Sequence, residues 1–134
     1  MEVAYALLAD SGNVTANGKL NLLGAFNVIY ARRFPAYHPA MVLAFSFRAE
    51  YEDRSKVHKV ELTLIDEDGQ QLLRWDAEVE VGPLAPGQFA QLPQIIGMNG
   101  LRIPKAGRYR FNIHIVGREG PVSVVFMAAQ LPGD

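Results

Sequence analysis

The sequence predicts an all-β fold, a two-sheet antiparallel β-sandwich of about eight or nine strands. Three observations lead to this prediction. Apolar and polar residues alternate with a period of two, and a helix of 3.6 residues per turn would not sort them onto two faces. Turn-forming residues separate the alternating segments, and the prolines fall between these segments or at the first residue of one. This spacing of short strands and turns is typical of a sandwich or barrel.

The first third of the chain predicts a hairpin followed by a further strand. Residues 2–9 are interpreted as a strand, although their Ala and Leu content also suits a helix. Asn17-Gly18 is a two-residue hairpin signal between residues 14–15 and 19–22. Leu43, Phe45 and Phe47 then alternate with smaller or polar residues, which predicts a further strand.

The middle of the chain contains the clearest pair of strands. Residues 60–64 alternate between apolar and polar, and residues 73–81 place every charged side chain on one face. The turn between them, Asp66-Glu67-Asp68-Gly69, ends in a glycine that adopts a positive φ at little cost. Together these features predict a β-hairpin. Residues 82–93 are then expected to cross over as an irregular loop.

A second hairpin is predicted near the end of the chain. Residues 108–115 alternate, residues 117–120 form the turn, and residues 122–127 are apolar enough to be buried on both faces. Tyr109 stands at the start of a strand after a Gly turn, the position of the tyrosine corner in immunoglobulin-like domains. The alternative is an ordinary inward-facing aromatic side chain. The first interpretation makes the predicted sandwich immunoglobulin-like.

Composition limits the classes of protein to which the chain can belong. Its 134 residues predict one domain, residues 1–134, with enough core to fold alone. It has no cysteine, which excludes disulfides, thiolate metal sites and cysteine nucleophiles and fits the cytoplasm. Thirteen Lys and Arg against fourteen Asp and Glu give a net charge of −1, so we expect no nucleic-acid partner. No segment is long and apolar enough for a membrane, and the N-terminus lacks the basic start of a signal peptide.

Four segments of the chain resemble a family of small bacterial domains of unknown function. They are residues 9–26 (ADSGNVTANGKLNLLGAF), 34–39 (FPAYHP), 101–104 (LRIP) and 107–111 (GRYRF). The resemblance spans nearly the whole chain and implies a stand-alone bacterial β-domain. It implies no activity and assigns no functional residues.

The residues that often carry catalysis or bind metals are not grouped in this sequence. The acidic turn at residues 66–69 is too short for a calcium loop, which needs about six or seven oxygen ligands. His38, His58 and His114 are far apart and show no ligand spacing, although folding alone can bring zinc ligands together. Motifs for nucleophiles, phosphates and dinucleotides are missing. We therefore expect no metal, no cofactor and no enzymatic activity.

Two irregular segments are candidates for binding a ligand or a partner. Residues 32–39, predicted as a loop, combine Arg32, Arg33, Phe34, Tyr37 and His38, a set that suits an anion or a peptide. The alternative is a rigid crossover in which Phe34 and Tyr37 hold the loop to the core edge. Residues 82–89 expose apolar side chains that could contact a partner or simply cover one end of the sandwich.

The functional prediction is a non-catalytic interaction or structural module whose partner is another protein or a second copy of itself. It follows from a complete β-scaffold without a catalytic motif and from the surplus of apolar residues at 122–127. The alternative is a small-ligand or anion-binding, lectin-like domain that uses residues 32–39. A hydrolase assembled only in three dimensions is the third and weakest hypothesis.

Overall fold

Nine β-strands make up almost all regular structure in the computed structural model, which describes residues 1–132. One short 3-10 helix, Tyr51–Asp53, lies between the fourth and fifth strands. The strands are β1 (Glu2–Val14), β2 (Leu20–Phe26), β3 (Val28–Ala31), β4 (Ala36–Ala49), β5 (Lys56–Asp66), β6 (Gln71–Val81), β7 (Ala90–Ile103), β8 (Gly107–Ile115) and β9 (Val122–Gln130).

The strands form two sheets, which confirms the predicted all-β sandwich. One sheet has four strands in the order β2-β1-β4-β7, and the other has five in the order β3-β9-β8-β5-β6. Neighbouring strands are antiparallel except β3 and β9, which run parallel with Val28 opposite Met127. This parallel pair departs from the predicted all-antiparallel pattern. It arises because β2 passes almost directly into β3, so one continuous segment crosses from the first sheet to the second.

The core lies between the two sheets and draws side chains from both of them. Its large members include Phe47 and Leu43 from the four-stranded sheet and Leu62, Phe111 and Phe126 from the five-stranded sheet. These residues sit at alternate positions of their strands, as the period-two pattern requires. The predicted inward-facing residues of β5 and β8 are all among them.

Strand β4 is the strand that is buried on both faces. Every residue from Met41 to Phe47 is buried, but only alternate ones join the core between the sheets. The end of the β1–β2 hairpin contributes to the cover on the opposite face, because a Cβ atom at Gly12 would lie 3.3 Å from Ile95 Cδ1 of β7. Since β4 lies between β1 and β7, this hairpin bends across it.

Three predicted hairpins are present. Gly18 has φ +80° in the turn between β1 and β2, as the Asn17-Gly18 signal requires. The turn between β5 and β6 is held by Asp66, whose Oδ1 accepts hydrogen bonds from the backbone N–H groups of Asp68 (3.0 Å) and Gln70 (2.8 Å). The third hairpin joins β8 and β9.

Tyr109 makes the hydrogen bond of a tyrosine corner. Its ring is buried and its hydroxyl donates to the backbone carbonyl of Lys105 at 2.5 Å. The same oxygen accepts a hydrogen bond from the Lys105 N–H at 3.2 Å, so the hydroxyl is satisfied as both donor and acceptor. The tyrosine-corner interpretation is therefore confirmed, whereas an immunoglobulin-like fold stays a prediction.

Three details of the sequence analysis were wrong. In β9 (residues 122–127 of the prediction) Val125 and Met127 are 45% and 40% exposed, so this strand is not buried on both faces. Pro39 lies inside β4 and Pro93 inside β7, so prolines are not confined to connections. The predicted crossover at residues 82–93 ends earlier, because β7 starts at Ala90.

Strands β3 and β7 had no counterpart in the prediction. Only four residues form β3, too few for a periodic signal. Strand β7 contains Pro93, Gly97 and Gly100, residues typical of turns, and adjacent Ile95 and Ile96 break the alternation. No helix within residues 1–132 is long and apolar enough to span a membrane.

Candidate functional site

The predicted candidate segment at residues 32–39 is not a loop throughout. Residues 32–35 form bends that include a cis Phe34-Pro35 bond, and residues 36–39 belong to β4. The correction has a simple cause: Ala36, Tyr37 and His38 pair with Ile103, Arg102 and Leu101 of β7, a strand that the sequence did not reveal.

The side chains of this segment point in different directions. Phe34 packs against the core, and the His38 ring lies 5.9 Å from the Phe26 ring, so both are partly buried. Tyr37 is 64% exposed, and Arg32 and Arg33 are exposed as well. Phe34 therefore anchors the segment as the rigid-crossover interpretation expected, but Tyr37 does not.

The structure adds one residue to the exposed part of this segment. Arg102 of β7 lies directly opposite Tyr37 of β4 and is also exposed. Directly opposed residues of an antiparallel pair share one face of the sheet. Tyr37 and Arg102 therefore form an aromatic and cationic pair, which the sequence analysis missed because the two residues are far apart in the chain.

The three histidines do not meet. His58 Nε2 lies 3.0 Å from the carbonyl of Asp53, His114 Nε2 lies 3.0 Å from the carbonyl of Arg118, and His38 contacts Phe26. Among the residues that the structure describes, no group of three His, Asp or Glu side chains is arranged to hold a metal ion.

The acidic turn at residues 66–69 is engaged by the chain itself. Asp66 is buried and accepts two backbone hydrogen bonds, while Asp68 pairs with Lys105 Nζ at 2.6 Å. The hydrogen bond to Asp68 and its charge raise the pKa of Lys105. These contacts make the turn a structural link between β5–β6 and the start of β8.

One end of the outer face of the five-stranded sheet is apolar and carries two arginines. Arg108 and Arg110 of β8 lie opposite Met127 and Val125 of β9, and Met127 in turn lies beside Val28 of β3. Tyr30, two residues further along β3, is 63% exposed. We call Tyr30, Arg108, Arg110, Val125 and Met127 the β9 patch.

The β9 patch has the composition of a protein interface. Tyr, Met and Arg are enriched in interface cores, whereas Lys, Glu and Asp are depleted there. Within residues 1–132, neither Arg108 nor Arg110 forms an ion pair through its side chain. The patch therefore offers two unpaired cations beside exposed apolar side chains.

The opposite end of the same face is acidic. Glu61 of β5 lies opposite Asp76 of β6, and Glu78 and Glu80 continue the row along β6. Arg74 Nη2 lies 3.1 Å from Asp76 and 3.5 Å from Glu61, and with Lys59 it offsets part of this charge. A hollow of about 430 Å³ lies here, lined by Lys59, Glu61, Arg74, Asp76, Glu78 and Val116. We call Glu61, Asp76, Glu78 and Glu80 the acidic end.

The second candidate segment, residues 82–89, lies between β6 and β7. Phe89 is 49% exposed, and the Arg48 guanidinium stands over its ring at 4.4 Å from the centroid. Gln88 turns back on Ala85, whose N–H donates to Gln88 Oε1 at 2.8 Å. The Phe89 ring is therefore partly covered by the guanidinium group of Arg48.

Among the residues that the structure describes, Asp53 lies in the most enclosed ion pair. Its Oδ1 is 2.7 Å from the amino group of Met1, and its side chain is 17% exposed. Burial raises the pKa of Asp53, but hydrogen bonds from the Met1 ammonium group and the Glu50 N–H, with the nearby positive charge, hold it below its usual value overall. The pair fastens the start of β1 to the 3-10 helix.

A model of a family of unknown function, DUF6941, matches residues 4–121. This match confirms the predicted resemblance to an uncharacterised family, while a bacterial origin stays a prediction. No curated protein matches the chain.

Proposed function

We propose that this chain, which belongs to the family of unknown function DUF6941, is a non-catalytic interaction module that pairs with a second copy of itself through the outer face of the five-stranded sheet. The single observation behind the proposal is the β9 patch. Its apolar side chains are exposed in the isolated chain, and its two arginines have no ion pair within residues 1–132. A cytoplasmic location belongs to the same proposal.

Charge favours a second copy as the partner. The outer face has the arginines of the β9 patch at one end and the acidic end at the other. A two-fold axis through the middle of this face would bring the β9 patch of one copy to the acidic end of the other. Each copy then supplies the charge that the other lacks, and such complementarity fixes register and speeds association.

The proposal is tested by sedimentation velocity over concentrations from about one to one hundred micromolar, the range of weak specific complexes. We expect a reversible dimer that dissociates as salt rises, because exposed charges are screened within about 10 Å at 0.1 M salt. Arg110→Glu should weaken the dimer about ten-fold or more, since it places like charges together.

Arg118→Glu is the matched control. Arg118 is exposed, lies in the turn after β8 and undergoes the same change of charge outside the β9 patch. A chain that stays monomeric over the whole range contradicts the proposal, as does an equal effect of the two variants.

A second candidate function is the binding of a small anion or an anionic saccharide. The observation that favours it is the exposed Tyr37 opposite Arg102, with Arg33 nearby in the chain. A guanidinium beside an aromatic ring suits an anionic group attached to an apolar ring.

This candidate is tested by a ligand screen with sulfate, phosphate and anionic saccharides. Replacing Arg33, Tyr37 and Arg102 together by Ala should abolish any binding and leave the melting temperature unchanged, because all three side chains are exposed. Arg118→Ala serves as the control. A binding profile that survives the triple substitution rules out this site.

A further inference from the structure

The four edges of the two sheets differ in how they are protected against pairing with another strand. Unpaired strand edges attract other strands, and proteins usually shorten, charge or distort them. Strand β3 has four residues, and β6 carries Arg74, Asp76, Glu78 and Glu80. Strand β2 has seven residues and is distorted at Gly24, whose φ is +70°.

Strand β7 lacks these protections over residues 90–99. It has fourteen residues, pairs with β4 on one side and is the edge strand of its sheet. No residue from Ala90 to Leu101 is charged. Pro93, which has no N–H to donate, interrupts the edge, and Gly100, whose φ is +66°, distorts it near the end of the strand.

Pro93 also reveals which backbone groups face outward. A proline within a sheet stands where its nitrogen points away from the neighbouring strand. Backbone N–H and C=O groups of alternate residues point to the same side of a strand. Ile95 and Gly97 therefore direct their backbone groups to the free side, together with the carbonyl of Pro93.

An apolar slot opens beside this edge. It has a volume of about 110 Å³ and lies between β4 and β7 of one sheet and β5 and β6 of the other. Phe45, Leu62, Val79 and Ile96 are among its lining residues, and Glu78 is charged. A water molecule takes about 30 Å³ in the liquid, so the slot has room for a branched aliphatic side chain.

We propose that the free edge of β7 binds an extended segment of a partner protein as an added antiparallel strand. One aliphatic side chain of that segment enters the slot, and a Lys or Arg two positions away, on the same face of the added strand, faces Glu78. Main-chain hydrogen bonds to an exposed edge provide affinity in this mode, and pockets for alternate side chains provide specificity.

Charge decides between a partner segment and a second copy at this edge. If β7 of a second copy were the added strand, its segment beside the slot would contain no Lys or Arg that could pair with Glu78. A second copy would also bring its own Asp76, Glu78 and Glu80 to the same side of the sandwich, where like charges repel. The occupant is therefore a basic and aliphatic segment of another protein, bound at a surface separate from the β9 patch.

The test uses the full chain and synthetic peptides of about ten residues, long enough for one strand. In each peptide threonine alternates with valine, and a central leucine replaces one valine to enter the slot. The residues two positions before and after this leucine, which share its face of the strand, are lysine in one peptide and glutamate in the other. Fluorescence anisotropy measures binding. We expect the lysine peptide to bind about ten-fold or more tightly than the glutamate peptide.

Two substitutions probe the two halves of the site. Gly97→Pro removes an outward N–H and places a ring on the free edge, and a side chain at Gly97 meets no other atom within 4 Å. Ala77→Leu fills the slot from β6, where Ala77 is a lining residue. Each should weaken binding of the lysine peptide about ten-fold or more.

Gly82→Pro is the matched control for the edge. A side chain at Gly82 is equally free of contacts, and the residue lies just beyond β6 rather than on β7. This variant should bind the lysine peptide as the unchanged protein does, and thermal melts establish that all three variants are folded.

Several results would overturn the inference. These are no binding of either peptide, equal binding of the two, or unchanged binding by both Gly97→Pro and Ala77→Leu. Loss of self-association in Gly97→Pro would place a second copy on this edge instead. The two proposals share Glu78 of the acidic end, but Arg110 and Gly97 lie on different sheets. Arg110→Glu therefore tests self-association and Gly97→Pro tests the edge, so that failure of either proposal can be told from failure of the other.

Discussion

At the scale of single residues, the ion pair between Met1 and Asp53 is the contact with the clearest dependence on pH. Asp53 accepts from the Met1 amino group and, through Oδ2, from the N–H of Glu50 at 2.8 Å. Both contacts favour the ionised carboxylate and keep its pKa below the usual value. A carboxyl group with a lowered pKa in the folded state stabilises that state where it is ionised.

We therefore predict that Asp53→Asn lowers the free energy of unfolding by about 1 kcal/mol near neutral pH. An unfolded Asp titrates near pH 3.9, so this contribution is complete above that pH and is lost as the pH falls through the lower pKa of the folded state. The difference between Asp53→Asn and the unchanged protein should accordingly shrink in strong acid. Urea unfolding at a series of pH values measures it.

Asp68→Asn is the control for this prediction. Asp68 also forms an ion pair, with Lys105, but the two side chains are 68% and 51% exposed. Exposed pairs contribute little to stability. A larger loss for Asp68→Asn than for Asp53→Asn would contradict the assignment.

Only some residues of the candidate sites could be predicted from the sequence. Arg33 and Tyr37 were found because they are close in the chain, whereas Arg102 becomes their neighbour only through the pairing of β4 with β7. The β9 patch likewise joins Tyr30 to residues about 80 to 100 positions later in the chain. Proximity of this kind depends on the order of strands in the sheets, which local patterns do not encode.

At the scale of strands, the turn between β1 and β2 depends on one glycine. Gly18 has φ +80°, a conformation that costs other residues free energy, and an added side chain there would meet no other atom within 4 Å. The requirement is therefore one of backbone conformation rather than space. The end of the hairpin that this turn closes also helps to cover β4.

We predict that Gly18→Ala lowers the free energy of unfolding by about 1 kcal/mol. Gly82→Ala is matched to it, because Gly82 is equally open but has no positive φ, and it should change stability by less than about 0.5 kcal/mol. Urea unfolding with unchanged m values measures both. Equal effects of the two substitutions would show that backbone conformation is not the cause.

Strand-level predictions succeeded where one face meets solvent and failed elsewhere. The alternation in β5, β6 and β8 was read correctly because each has one buried face. Apolar content in β9 was mistaken for burial on both faces, whereas β4, which is buried on both, was recognised only over residues 43–47. The bend of the first hairpin over β4 depends on contacts between strands that are distant in the chain, and no local sequence pattern predicts it.

At the scale of the whole molecule, the sequence predicted the class of fold and three of its hairpins. It did not predict the division into four and five strands or the parallel pair that joins β3 to β9. Those features follow from how the two sheets share one core, where Phe47 of one meets residues such as Phe111 and Phe126 of the other. The proposed sites lie on the surfaces that this arrangement leaves uncovered.

The parallel pair of β3 and β9 also bears on how the protein is made. Because β9 lies between β3 and β8, the five-stranded sheet stays divided until nearly all of the described chain has left the ribosome. Until then β3 has no neighbour, and Tyr109 and Phe111 of β8 lack the Phe126 ring, which lies 5.3 Å and 5.8 Å from theirs in the folded chain. Such intermediates associate through apolar surfaces. A nascent chain of this protein is therefore an expected client of chaperones that bind exposed apolar segments during translation.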